Sequence, residues 1–161
     1  CQMNDGGLDE ILATFSHPNS KIDAIVIEAS GIAEPIDLRK LILYSSNKSI
    51  SMNGVVYIVD AKNIIDNLKN YPKINNHIAA ADIIVLNKID LVDKNDLASI
   101  KSTINKINPN SIIIQTTEGR LNPGLLFDID FFLIFLVQLG YHKNFELEIT
   151  LLLLLHLYFR F

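Results

Sequence analysis

Residues 81–92 read Ala-Asp-Ile-Ile-Val-Leu-Asn-Lys-Ile-Asp-Leu-Val. Residues 83–86 are apolar throughout and mostly β-branched, and the run stops abruptly at Asn87-Lys88-Ile89-Asp90. A short, continuous apolar run of this kind reads as a strand buried on both faces. The polar residues then fall at its carboxyl end. Similar runs recur at residues 22–27, 55–59 and 112–114. Helical spacing separates them. Leu8, Ile11, Leu12 and Phe15 form one stripe, and Leu97, Ile100, Ile104 and Ile107 form another that stops at Asn108-Pro109. Pro35 suits the first turn of a helix reaching about Tyr44, and Pro72 opens another through Ile74, Ile78 and Ala81. Strands alternating with helices imply parallel pairing and right-handed crossovers. The expected fold is therefore α/β, a doubly wound, mostly parallel sheet.

Ligands of such sheets bind at the carboxyl ends of the strands. Four polar clusters fall there: residues 28–31 (Glu-Ala-Ser-Gly), Asp60, residues 87–90 and residues 115–119 (Gln-Thr-Thr-Glu-Gly). The Asp90 carboxylate can accept hydrogen bonds from N1–H and the exocyclic amine of guanine, a pattern adenine does not offer. Asn87 can brace the loop and reach the base edge, and the aliphatic stem of Lys88 can lie over the base plane. The same string also fits an ordinary solvated turn. Glu28 stands where a carboxylate faces Mg²⁺ in phosphate-hydrolysing folds, and Gly31 would let a backbone N–H approach a γ-phosphate. A tight strand-to-helix turn is the plainer alternative for that segment. Asp60 fits a cap for a helix starting near Lys62. Thr116 sits where a loop could close over the base.

Composition sets the outer limits. The 161 residues fit one compact domain, 49% of them hydrophobic. With 14 Lys and Arg against 18 Asp and Glu, the chain lacks the basic excess that binding to nucleic acid requires. The fully apolar runs, residues 131–137 and 151–155, fall short of the roughly 20 residues of a spanning helix. A cytoplasmic domain without membrane attachment is expected. Cys1 is the single cysteine, so neither an internal disulfide nor a four-thiolate site can form within this chain.

Taken together, these residues resemble the nucleotide-binding domain of the CobW/HypB/UreG family of P-loop GTPases, its CobW branch above all. The resemblance is carried by residues 23–35 (DAIVIEASGIAEP), 54–61 (GVVYIVDA) and 81–92, and less specifically by residues 107–109. It covers Cys1 to about Asp128. Glu28, where signalling and translation GTPases carry Asp, points to this family rather than theirs. The resemblance implies a P-loop NTPase-type fold, GTP and GDP as ligands, and Mg²⁺ as cofactor. It places Glu28 and Gly31 at the Mg²⁺ and the γ-phosphate, and Asn87, Lys88, Asp90 and Thr116 at the guanine base. It further implies delivery of zinc or cobalt to a client protein, and it is compatible with a homodimer. The CobW branch carries a C-x-C-C metal motif after the phosphate loop, and Cys1 resembles its last cysteine.

The chain also departs from the family pattern. It contains no G-x-x-x-x-G-K-[ST] string. It begins with Cys rather than Met, so it is expected to be a piece of a longer protein, lacking the first strand and the phosphate loop. GTP hydrolysis is then expected of the intact parent and not of this piece. His77 stands where the family usually has Gln, and it is expected to be an exposed, inert helix residue. The expected division is a partial GTP-binding domain over residues 1–128. An apolar segment follows over residues 129–161, the start of a second domain or a divergent tail. The alternative function is a non-catalytic remnant or protein-interaction module.

Overall fold

A computed structural model describes residues 10, 12–15, 24–29, 34–45, 52–122 and 132–138. Five strands form one sheet in the order β1-β5-β2-β3-β4. They are β1 (Ala24–Ala29), β2 (Met52–Asp60), β3 (Ile83–Asn87), β4 (Ile112–Gln115) and β5 (Phe132–Gln138). All four pairings are parallel. The helices are α1 (Pro35–Tyr44), α2 (Ile64–Asn70), α3 (Lys73–Ala80) and α4 (Lys94–Ile107), with a short 3₁₀ turn at Ile89–Leu91. From β1 to β4 the chain advances in one direction across the sheet, and it then turns back to place β5 between β1 and β2. The α/β reading with a parallel sheet therefore holds.

Local chemistry explains where the helices begin and end. Pro35 occupies the first turn of α1 behind an extended Glu34. The Glu34 carbonyl accepts from the backbone N–H of Asp37 and of Leu38, at 3.0 and 3.3 Å. At α4 the Asp93 carboxylate accepts from the N–H groups of Asn95 and Asp96, both at 2.8 Å. These bonds satisfy two of the four donors that a helix start leaves free. Asn108 ends α4 as expected and also does more. Its side-chain amide is buried and donates to the carbonyls of Ile78 and Ala81, both at 2.8 Å, so the ends of α3 and α4 are tied together.

The core lies on the helix side of the sheet. Val55, Tyr57 and Val59 of β2 and Ile84 and Leu86 of β3 pack with Ile42, Ile64, Ile74, Ile78, Ile100 and Ile104 from the four helices. Alternation along β2 and β3 sends Val56 and Val85 to the other face, where Leu121 packs on them. Right-handed crossovers that all advance one way put α1 to α4 on a single face, as observed.

One expectation changes here. The first strand starts and ends later than the sequence suggested, so Glu28 lies within β1, paired with Leu136. Residues 132–138 contribute β5, which pairs with β1 on one side and β2 on the other.

Candidate functional site

The carboxyl ends of β2, β3 and β4 come together in register. Asp60 lies opposite Asn87, and Leu86 lies opposite Gln115. The Asn87 carbonyl accepts from the Ala61 N–H at 2.9 Å, which fastens the loop after β2 to the end of β3. The Asn87 side chain is buried, and its Oδ1 accepts from the Gly119 N–H at 3.1 Å. This one side chain thereby joins the loop after β3 to the loop after β4. A second tie runs from the Ile89 N–H to the Thr116 carbonyl at 3.4 Å.

Lys88 adopts a left-handed conformation, φ 59°. From there its ammonium reaches the Asp60 carboxylate at 2.8 Å. Asp60 also accepts from the Lys62 N–H at 2.9 Å and from the Asn63 amide at 3.0 Å. Asp60 was expected to cap a helix near Lys62. Instead α2 begins at Ile64 behind Asn63, and Asp60 organises the turn that precedes it. The carboxylate does so while neutralising Lys88, whose stem stays beside the rim.

The loop after β4 is shaped by its own hydrogen bonds. The buried Thr116 hydroxyl donates to the Arg120 carbonyl at 2.6 Å, and the Arg120 N–H donates to the Thr117 carbonyl at 3.1 Å. Glu118 and Gly119 follow one another in the left-handed region, φ 54° and 66°. The chain thus reverses tightly, and the Gly119 N–H turns toward Asn87. Thr116 is brought to the rim as expected, with its hydroxyl engaged inside the loop.

Asp90 differs from its neighbours. It sits on the 3₁₀ turn, exposed, and its carboxylate makes no hydrogen bond or ion pair among the described residues. The surroundings hold the loop, and this acceptor pair is left to solvent. Glu28, near the end of β1, is likewise exposed and unengaged among the described residues. Gly31 and Cys1 lie outside the described residues. Among the described residues there is no group of three or more His, Cys, Asp or Glu that could hold a metal ion. Nor is any helix there long and apolar enough to cross a membrane.

His77 corrects an expectation. It is 1% exposed, not a surface residue. Its ring meets Tyr57 edge-on at a centroid distance of 5.6 Å. Its Nε2 lies 3.8 Å from a Glu34 carboxylate oxygen, and the other Glu34 oxygen lies 3.3 Å from Lys73. Burial pushes the imidazole below its ordinary range, against the pull of Glu34. Burial likewise holds the Tyr57 phenol well above the usual range. A signal for His77 was present in the sequence. Ile74, His77, Ile78 and Ala81 are spaced i, i+3, i+4, i+7, so the histidine shares the buried stripe of α3. Sequence reasoning also missed Asp82, whose carboxylate accepts from the Val55 N–H at 2.7 Å and pairs with Arg39.

Known proteins share much of this sequence. A zinc-regulated GTPase metalloprotein activator 1 from Schizosaccharomyces pombe is 38% identical over 125 residues, covering 76% of this chain and 30% of that protein. The zinc chaperone YjiA of Escherichia coli is 24% identical over 137 residues, covering 83% of this chain and 42% of its own length. A protein of the first name from Saccharomyces cerevisiae is 25% identical over 130 residues, covering 67% of this chain and 30% of that protein. The chain thus spans less than half the length of these relatives. No solved structure matches it. The profile described as "CobW/HypB/UreG, nucleotide-binding domain" matches residues 1–115, the stretch that carries Glu28, Asp60 and the Asn87–Asp90 loop, and the chain belongs to that family.

Proposed function

We propose that this chain is the guanine-reading part of a GTPase that couples its nucleotide state to delivery of a metal ion such as zinc or cobalt to a client protein. The observation that carries the reading is the state of Asp90. Its loop is fixed on two sides, by Asn87 to Gly119 and by Lys88 to Asp60, while its own carboxylate is exposed and unengaged. A preorganised, unpartnered acceptor pair suits the two adjacent donors of guanine. Glu28 supports the same reading. It lies on β1, three inter-strand steps from β3, or roughly 14 Å. That is of the order of an extended nucleoside triphosphate laid along the rim.

The roles of the chain's own residues follow. Asp90 accepts from the base, Asn87 and Thr116 hold the two loops that flank it, and Lys88 lays its stem beside the ring. Glu28 offers the hard oxygen donor that fits Mg²⁺ at the phosphate end, with Gly31 giving backbone access. Mg²⁺, when bound, would neutralise phosphate charge. Zinc or cobalt is cargo in this reading, and Cys1 is one thiolate toward it. The relatives whose printed names speak of zinc support the choice of cargo.

The test is amide NMR of the chain with GDP and with ADP at millimolar concentration, where even weak binding registers. GDP is expected to shift the amides of residues 87–90 and 116–119, and ADP is expected to leave them in place. Equal responses to both nucleotides, or none to either, would overturn the reading in favour of a non-catalytic interaction module.

A further inference from the structure

His77 has both ring nitrogens buried without a hydrogen-bond partner, and the neighbouring Tyr57 hydroxyl is buried in the same condition. Unpaired polar atoms inside a core cost roughly 1–3 kcal/mol each, so three together are unusual. The ring lies on α3, and the Glu34 that faces it is the residue from which α1 starts. From the elements packed around the ring, the groups that face it are Glu34 of α1 and Tyr57 of β2, with Lys73 of α3 itself. No charge on α2 or α4 acts on it among the described residues. Glu34 is shared between them, one oxygen toward Lys73 and the other toward Nε2.

At 3.8 Å the Nε2–Glu34 contact is an approach and not a hydrogen bond. With Nε2 unprotonated, the contact stays open. We propose that His77 is a proton-operated clasp: a proton taken from solvent at Nε2 draws the Glu34 carboxylate into a charge-assisted hydrogen bond and fastens the start of α1 to α3. Such a bond is short, so closing it requires Glu34 to move inward by about 1 Å. Glu34 is also the backbone acceptor for the Asp37 and Leu38 N–H groups, so the first turn of α1 feels the movement. Tyr57 stays a neutral wall across the whole range, because burial keeps its proton on. The clasp goes beyond the nucleotide reading and stands whether or not that reading survives.

The experiment is an NMR titration of the His77 ring and of the Asp37 and Leu38 amides in the full chain, without nucleotide. The ring and both amides are expected to share one midpoint. Glu34→Gln is expected to move the ring's midpoint to lower pH, since it removes the charge that favours the imidazolium. Lys73→Gln, at an exposed position, is expected to move it to higher pH by removing a repelling charge. His77→Gln should abolish the step in the two amides and leave their signals otherwise dispersed. A ring midpoint indifferent to both charge substitutions, or amides that do not follow the ring, would overturn the clasp. Because Lys73 is at the surface, its variant tests the proposal even if Glu34→Gln loosens α1.

Discussion

The rim at β3 and β4 and the rim at β1 are built in opposite ways. At β2, β3 and β4, three loops are bound together by a buried side chain, two backbone bonds and an ion pair, all within residues 60–120. At β1, a single carboxylate stands exposed on the strand, and β1 meets β2 only through β5. The first arrangement suits recognition of a rigid, flat group, because its polar atoms are fixed before anything arrives. The second suits a carboxylate that finds its geometry when a charged ligand does. In the proposed reading, selectivity belongs to one end of the rim and charge handling to the other.

The sharpest way to break that contrast is to change what the fixed end can read. Asp90→Asn replaces an acceptor pair with one acceptor and one donor. Two hydrogen bonds from guanine to a charged group would be lost or weakened, about 3 kcal/mol, or on the order of a hundredfold in GDP affinity. Xanthine carries an oxygen in place of the exocyclic amine, so the variant should prefer xanthosine diphosphate over GDP. Competition between the two in the NMR assay reads this directly. An unchanged preference would remove Asp90 from the base site.

The next effect is on the scaffold itself. Asn87→Ala leaves the Gly119 N–H without its acceptor inside a closed loop. The expected cost is about 1–3 kcal/mol, seen as a lower urea midpoint with an unchanged slope. Glu28→Gln, in the exposed half of the comparison, should leave that midpoint where it was. If both variants behaved alike, the distinction between a fixed and an open end would fail. Gly119→Ala probes the same loop from the backbone side. At φ 66° an added Cβ is disfavoured by about 1–2 kcal/mol, and the loss should appear in the same urea midpoint.

The two ends also differed in how far the sequence revealed them. β3, β4 and α4 were legible because their signals are local: an apolar run, a polar stop, a 3.6-residue stripe, an Asn-Pro end. The Asn87–Asp90 loop was legible for the same reason, since its chemistry sits in four consecutive residues. The place of β5 was not. Residues 131–137 are an apolar run, and nothing in such a run states which two strands it will separate. The Asn108 amide and the Asp82 carboxylate were hidden similarly, because their partners lie 27 or more residues away, at Ile78, Ala81 and Val55. His77 is the opposite case. Its stripe was readable, and a general expectation about lone histidines outweighed the spacing.

The smallest expected effect concerns the helix layer that backs both ends of the rim. In an unfolded chain His77 takes up its proton near the ordinary value of 6.5, and in the folded protein it does so at lower pH. Between those two points the unfolded state binds more protons. Stability therefore falls as pH drops through 6.5, and it levels off once the folded protein is protonated too. The slope from one such group cannot exceed about 1.4 kcal/mol per pH unit, and Glu34 offsets part of it. Urea unfolding from pH 8 to 5.5 should show this decline in the native sequence and lose it in His77→Gln, because the other three histidines are common to both. Equal slopes would mean that His77 titrates as though it were unfolded already. That outcome would sink the burial-driven shift, and α1 would be held by the core packing of Ile42 and by the Arg39–Asp82 pair without the histidine.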